Sequence, residues 1–269
     1  MSENLVVNKE IELIQKAYRP DDMFRALIYG VTGSGKTYSL RTARRPIHVD
    51  SFDPNGTQSI DDCIFTPQNP KGFILADTRF EVENPSKPTA YKLWESELKR
   101  RFASGYFNNM GTYATDLTSL SAAIMNDVLL KAGRPGGTPQ QNDWLPQMTI
   151  IENAMRFVLS FPCDVIVLAH VNVIKDDVVG KLSYSPLITG KLVIRVPLMF
   201  SEVYVALTRE TAKGLEYRFL TQAAGSYTAR TRLGKGGKFS RYEEPDFKKL
   251  LAKAGKSTED KPLLGESNG

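Results

Sequence analysis

Arg25-Ala26-Leu27-Ile28-Tyr29-Gly30-Val31-Thr32-Gly33-Ser34-Gly35-Lys36-Thr37 is the stretch whose reading decides the fold. The apolar run Ala26, Leu27, Ile28, Tyr29 reads as a buried strand, and it runs straight into Gly-x-x-Gly-x-Gly-Lys-Thr. Residues 38–44 then read as a helix. Glycines let successive backbone N–H groups turn inward around phosphate oxygens. The helix that starts there adds unpaired N–H groups and a dipole favouring the same anion. Lys36 is placed to reach the β- and γ-phosphates, and the Thr37 hydroxyl to ligate Mg²⁺. Gly30, Val31, Thr32, Gly33, Ser34, Gly35, Lys36, Thr37 and Tyr38 are therefore the candidate nucleotide-binding residues, with ATP and Mg²⁺ as the implied cofactors.

Working outward, Pro46-Ile47-His48-Val49-Asp50-Ser51-Phe52-Asp53 reads as a second strand that ends in a polar turn. Asp50 and Asp53 fall at the carboxyl edge of a sheet, where one of them can orient water on a terminal phosphate. Asp53 also fits a turn aspartate bonding its own backbone. Residues 72–77 give a third strand, and Tyr91, Trp94, Leu98 and Phe102 recur at helical spacing. Residues 110–120 read as a strand ending in Asp116, followed by Ser/Thr that can cap a helix. That places Asp116 as the Mg²⁺-side carboxylate beside Thr37. Val165-Ile166-Val167-Leu168-Ala169 is the clearest buried strand. His170 at its exit stands where a side chain can sense the γ-phosphate. Residues 131–143 and 171–190 read as loops. Arg134 in the first, and Lys175 and Lys181 in the second, are candidates for nucleic-acid contact, although the first loop reads equally as a spacer. Val203, Val205 and Leu207, then Leu215, Tyr217 and Phe219, alternate as strands. Arg230 and Arg232 fall at i and i+2 on one face of an extended segment, either as solvated arginines or as a finger gripping phosphate.

Among 269 residues, 41% are hydrophobic, enough for a substantial core, and the net charge is +5. The excess is local: residues 181–238 hold ten Lys/Arg against Glu202, Glu210 and Glu216. That suits a polyanionic partner or a solvated basic face. Cys63 and Cys163 have no ligand spacing, so neither a disulfide framework nor a zinc site is indicated. Met1-Ser2-Glu3-Asn4 lacks a basic-then-apolar signal, and no run approaches a membrane span. A soluble, cytoplasmic protein without membrane contact is expected. Residues 1–24 read as a strand or arm plus a small helix, 25–240 as one nucleotide-binding core, and 241–269 as a short helix and flexible tail.

In this order, the P-loop, the Asp50/Asp53 turn, Asp116, His170 and the Arg230/Arg232 pair resemble the RecA-like ATPase core. Ala169-His170, Ile188-Thr189-Gly190-Lys191 and Ala229-Arg230-Thr231-Arg232 are similar to the compact phage-encoded annealing proteins of the Sak4 type. The resemblance implies an α/β fold, with a twisted, mostly parallel sheet flanked by helices and C-terminal antiparallel strands. It also implies an ATPase that binds single-stranded DNA in annealing or recombination. Self-assembly into a ring or filament would place ATP between subunits, with Arg230 and Arg232 reaching across, and phage or host single-strand-binding or replication proteins as partners. A replication- or packaging-associated ATPase of helicase or loader type, or a nucleotide-sensing scaffold, is the alternative. The chain departs from the family where a catalytic glutamate is expected: Ser51-Phe52-Asp53 stands there, so an aspartate substitutes or hydrolysis is slow.

Overall fold

The computed structural model describes residues 2–17, 22–175 and 182–263. In chain order it has α1 (Ser2–Ala17), β1 (Arg25–Gly30), α2 (Lys36–Ser39), β2 (Ile47–Asp50), β3 (Ile74–Asp77), α3 (Ala90–Ala103), β4 (Thr112–Asp116) and α4 (Leu117–Lys131). Then follow α5 (Trp144–Val158), β5 (Asp164–Lys175), β6 (Leu182–Pro186), α6 (Leu192–Met199), β7 (Glu202–Thr211), β8 (Gly214–Leu220), β9 (Tyr242–Glu243) and α7 (Phe247–Ala254). Among the described residues the strands form one nine-stranded sheet in the order β3-β2-β4-β5-β1-β7-β8-β9, with β6 paired to β5. The neighbours from β3 to β7 run parallel; β8 and β9 close the far edge antiparallel.

Because β1 is central and covered on both faces, its sequence is a continuous apolar run rather than an alternation. Leu27 and Tyr29 pack on one face with Trp94, Leu120, Ile151 and Val196 from α3 to α6. Ala26 and Ile28 pack on the other with Leu40, Phe247, Leu250 and Leu251. The two-residue period of a strand thus sorts each strand between two cores. The P-loop leaves β1 at its carboxyl end. The strand carrying Asp116 is separated from β1 by β5, so Asp116 at the end of β4 and His170, level with Gly30 on β5, lie on adjacent strands beside the loop. This is a RecA-like P-loop NTPase fold. Among the described residues, no helix is long and apolar enough to cross a membrane.

Several local expectations are corrected. Among the described residues, no strand precedes the N-terminal helix. Val7, Ile11 and Ile14 instead recur at helical spacing within α1. The helix after the P-loop is short: α2 gives way to a 3-10 turn over Leu40–Thr42, and Ala43 is already extended. Pro46 begins the approach to β2, and the residue before a proline disfavours helix. Residues 171–190 are not simply a loop. β5 runs past His170 to Lys175 and pairs antiparallel with β6, from Val171↔Pro186 to Lys175↔Leu182. Branched Val171, Val173 and Ile174 suit that extension. Residues 257–263, expected in a flexible tail, are tied down. Lys261 Nζ donates to Asn108 O at 2.9 Å and Met110 O at 2.6 Å, and Asp260 accepts from Arg45 N at 2.7 Å.

Candidate functional site

The P-loop is shaped by its glycines at the positions where only glycine fits. A Cβ on Gly30 would sit 2.5 Å from Ala206 O, so β1 and β7 approach this closely only without one. Gly33 and Gly35 have φ of 78° and 82°, a left-handed backbone that side chains disfavour. The loop is cross-tied from within: Ser34 Oγ donates to Val31 O at 2.7 Å. Lys36 Nζ donates to Gly30 O at 2.9 Å and to Val31 O at 2.8 Å. An ammonium has three donors, so one remains to point into the cavity. Burial lowers the Lys36 pKa, with the charges of Asp116 and Asp53 opposing the shift.

The cavity over this loop is about 740 Å³, lined by residues 32–38 with Asp53, Gly56, Ser59, Asp116, His170 and Tyr217. The sequence-derived candidates Lys36, Thr37, Asp53, Asp116 and His170 thus share one space. Ligand atoms of Asp53, Asp116 and His170 all lie within 4.8 Å of one another. Asp116 caps α4, accepting from Ser119 N at 2.8 Å. Asp53 is held by the Ser119 hydroxyl and lies 3.7 Å from His170 Nε2. Thr118 Oγ1 accepts from His170 N at 2.9 Å and donates to Leu187 O at 3.2 Å, while Leu187 N donates to His170 O at 2.8 Å. The His170 backbone is therefore locked to the first turn of α4 and to the chain leaving β6.

Burial pushes the Asp116 carboxyl up to about 6. The Ser119 N–H pulls it down, the Asp53 charge adds to the rise, and His170 and Lys36 oppose it. A negative charge crowded by a second carboxylate and half withdrawn from water is one that a cation would relieve. The donor set fits a hard divalent ion: hydroxyl oxygen from Thr37 and carboxylate oxygen from Asp116.

The raised value has a stability consequence of definite sign. The folded pKa lies above the unfolded one, so ionising Asp116 costs the folded protein stability. The cost is absent below about pH 4, grows towards pH 6, and is complete above it. Asp116→Asn keeps the helix cap, because asparagine caps as well as aspartate. This variant is expected to be more stable than wild type by on the order of 2 kcal/mol at pH 8, with the difference vanishing near pH 4. Thermal melts across that range, without divalent ions, check it; added Mg²⁺ should raise the wild-type Tm only.

Other candidates are placed elsewhere. Asp50 is fully buried at the end of β2 and is not among the residues that line this cavity. Its carboxylate accepts from Trp94 Nε1 at 2.9 Å, Tyr113 OH at 2.8 Å and Arg101 Nη1 at 3.0 Å. Its oxygens are therefore engaged by donors from α3 and β4. Arg134 grips Asp143 with two bonds of 2.7 Å, closing its own loop, so its fork is not free for nucleic acid. Arg230 donates to Pro197 O at 2.7 Å and Phe200 O at 2.6 Å. Arg232 is exposed, but its N–H is bound to Glu202 Oε1 at 2.9 Å. Glu202 pairs with Ala26, so the arginine pair sits about 13 Å below Gly30, at the opposite edge of the sheet from its own P-loop. Lys175 is exposed at the far end of β5, and Lys181 lies outside the described residues. Tyr38 lines the cavity mouth with its ring under Arg41, 4.6 Å from the centroid.

Sequence reading missed Ser119, Thr118, Gly56, Ser59 and Tyr217. For Ser119 a signal existed: it follows Asp116 at cap spacing. Tyr217 looks like one of three alternating strand residues, and nothing local says that it overhangs the P-loop.

Solved structures similar to this chain include the flagellar accessory protein FlaH from Methanocaldococcus jannaschii, at TM-score 0.44 and 11% identity, over 87% of this chain and 88% of that one. A KaiC-like protein from Pyrococcus horikoshii OT3 gives 0.43 and 10%, over 81% and 86%. An ATPase from the type III secretion system of pathogenic bacteria gives 0.39 and 14%, over 71% and 54%. No protein-family model matches the chain, and no curated protein matches its sequence.

Proposed function

We propose that this protein is a Mg²⁺-dependent P-loop ATPase of slow turnover whose nucleotide state is read through His170. One observation carries the reading: four separate segments bring Lys36, Asp53, Asp116 and His170 to a single cavity over a P-loop. Lys36 neutralises phosphate charge, and Thr37 and Asp116 would hold Mg²⁺, which when bound supplies charge stabilisation at the phosphate oxygens. Asp53 stands in for the longer carboxylate that orients water. It is shorter by a methylene and already engaged by Ser119, which supports slow hydrolysis. Asp53→Asn is expected to abolish phosphate release from ATP while leaving ATP affinity within a few-fold. Unchanged turnover in that variant, or wild type that binds no ATP, would overturn the reading. Assembly into a ring or filament remains part of the proposal, with Arg230 and Arg232 of one subunit offered to its neighbour.

A second reading, single-stranded DNA binding in annealing or recombination, is favoured by the β5–β6 hairpin. It continues directly from His170 and carries Lys175, so a phosphate sensor and a basic projection share one strand. This reading predicts oligonucleotide binding that weakens steeply with salt and changes with ATP. Fluorescence anisotropy of a labelled oligothymidylate across a salt series tests it; salt-insensitive binding, or none, counts against it.

A further inference from the structure

The sheet order gives the P-loop two unlike flanks. β5 and β4, bearing His170 and Asp116, lie on one side of β1; β7 and β8 lie on the other. The charged groups suited to a terminal phosphate and its cation, Asp53, Asp116 and His170, therefore stand together on the first flank. A nucleotide laid across the loop with its terminal phosphate there extends its nucleoside towards the second.

What the second flank offers is Tyr217. Gly30 is level with Ala206, but the β7–β8 ladder continues to Thr211↔Gly214, so the hairpin overruns the loop. On β8, Phe219 is fully buried in the core, and Tyr217, one alternation further out, is 41% exposed. Its ring lies against the backbone of Gly35: a Cβ there would be 2.9 Å from Cδ1 and 3.4 Å from Cε1. Among the described residues, the Tyr217 side chain has no other ring, cation or hydrogen-bond partner. The ring thus rests on the P-loop and leaves its remaining surface to the cavity, which it lines. Tyr38, the other aromatic residue at this site, already carries the Arg41 guanidinium over its ring.

We propose that Tyr217 is the platform on which the nucleobase stacks, making the site selective for a nucleoside triphosphate over its bare phosphate chain. The inference rests on the nucleotide-binding reading above and adds the group that holds the base. Stacking needs only a π-face, so purine type is discriminated weakly, and ATP and GTP are held alike by this contact.

The test compares ATP with inorganic tripolyphosphate, each titrated calorimetrically into wild type, Tyr217→Leu and Tyr217→Trp, with melts to confirm folding. Leucine still covers Gly35 but offers no π-face. Tyr217→Leu should weaken ATP roughly tenfold while leaving tripolyphosphate within about twofold, and Tyr217→Trp should retain ATP. Equal weakening of both ligands would mean that the ring only shapes the loop, and undiminished ATP binding would mean that it touches no base; either overturns the proposal. Wild type that binds neither ligand would instead refute the nucleotide-binding reading itself.

Discussion

Replacing Arg101 by alanine is expected to destabilise the protein by about 3–5 kcal/mol, the cost of leaving buried charges without their partner. Arg101 is 8% exposed and reaches Asp50 Oδ1 at 3.0 Å through one nitrogen and Asp77 Oδ2 through the other. Asp50 and Asp77 are direct neighbours across β2 and β3. Without the guanidinium, Asp50 and Asp77 face each other, with Arg79 still paired to Asp77 but no cation left on Asp50. Trp94 and Tyr113 still donate to Asp50, but an indole N–H and a phenol do not cancel its charge. Adding Asp50→Asn and Asp77→Asn to the alanine variant should recover part of the loss, since the repulsion is then gone. Urea unfolding midpoints at constant slope measure both effects. A midpoint shift worth less than about 1 kcal/mol would show that water screens the cluster.

The same cluster has a pH signature. Burial alone would push the Asp77 carboxyl up, but hydrogen bonds from Arg79 and Arg101 outweigh it and hold the group well below the usual carboxylate range. A folded value below the unfolded one gives stability that is present above about pH 4 and lost as the pH falls through the folded value. Wild type should therefore lose more stability than the Arg101→Ala variant on acidification, narrowing the gap between them.

Lys36→Ala is expected to lower affinity for ATP by about a hundredfold or more, and affinity for tripolyphosphate equally, because the lost contact is to phosphate. That corresponds to roughly 3 kcal/mol, the scale of a hydrogen bond to a charged group in a sheltered site. Stability should respond differently. Lys36 is 8% exposed, its ammonium is bonded among the described residues only to neutral carbonyls, and burial already lowers its pKa. Removing it relieves a desolvated charge, so the ligand-free Tm should hold steady or rise. Isothermal titration with both ligands, together with a melt, checks this. A large fall in Tm would mean that Lys36 chiefly braces the loop.

How much of this was legible in the sequence depended on whether the signal was local. The strand–P-loop–helix start could be read because glycine, lysine and threonine act through backbone geometry and short reach, and flanking residues supply both. Asp116 and His170 were readable for a related reason: Asp116 ends β4, His170 is the last residue of β5 paired with β1, and parallel strands bring such positions along one edge. Asp50, which ends β2, and Asp53, in the turn after it, were not separable in this way. Which one enters the cavity depends on which face of the sheet each side chain takes, and Asp50 is claimed by Trp94, Tyr113 and Arg101 from α3 and β4. Arg134 in its loop and Arg230 and Arg232 on their extended segment looked alike as cations open to a phosphate. Their bonds to Asp143, Pro197, Phe200 and Glu202 are products of packing.

The sequence by itself determined that a triphosphate-binding loop sits on a buried parallel strand, since that motif carries its own geometry. Only the tertiary structure decided which side chains surround the loop. Strand order put His170 and Asp116 on one flank and Tyr217 on the other. Strand order arises from long-range pairing between segments far apart in the chain, and no window of sequence contains it.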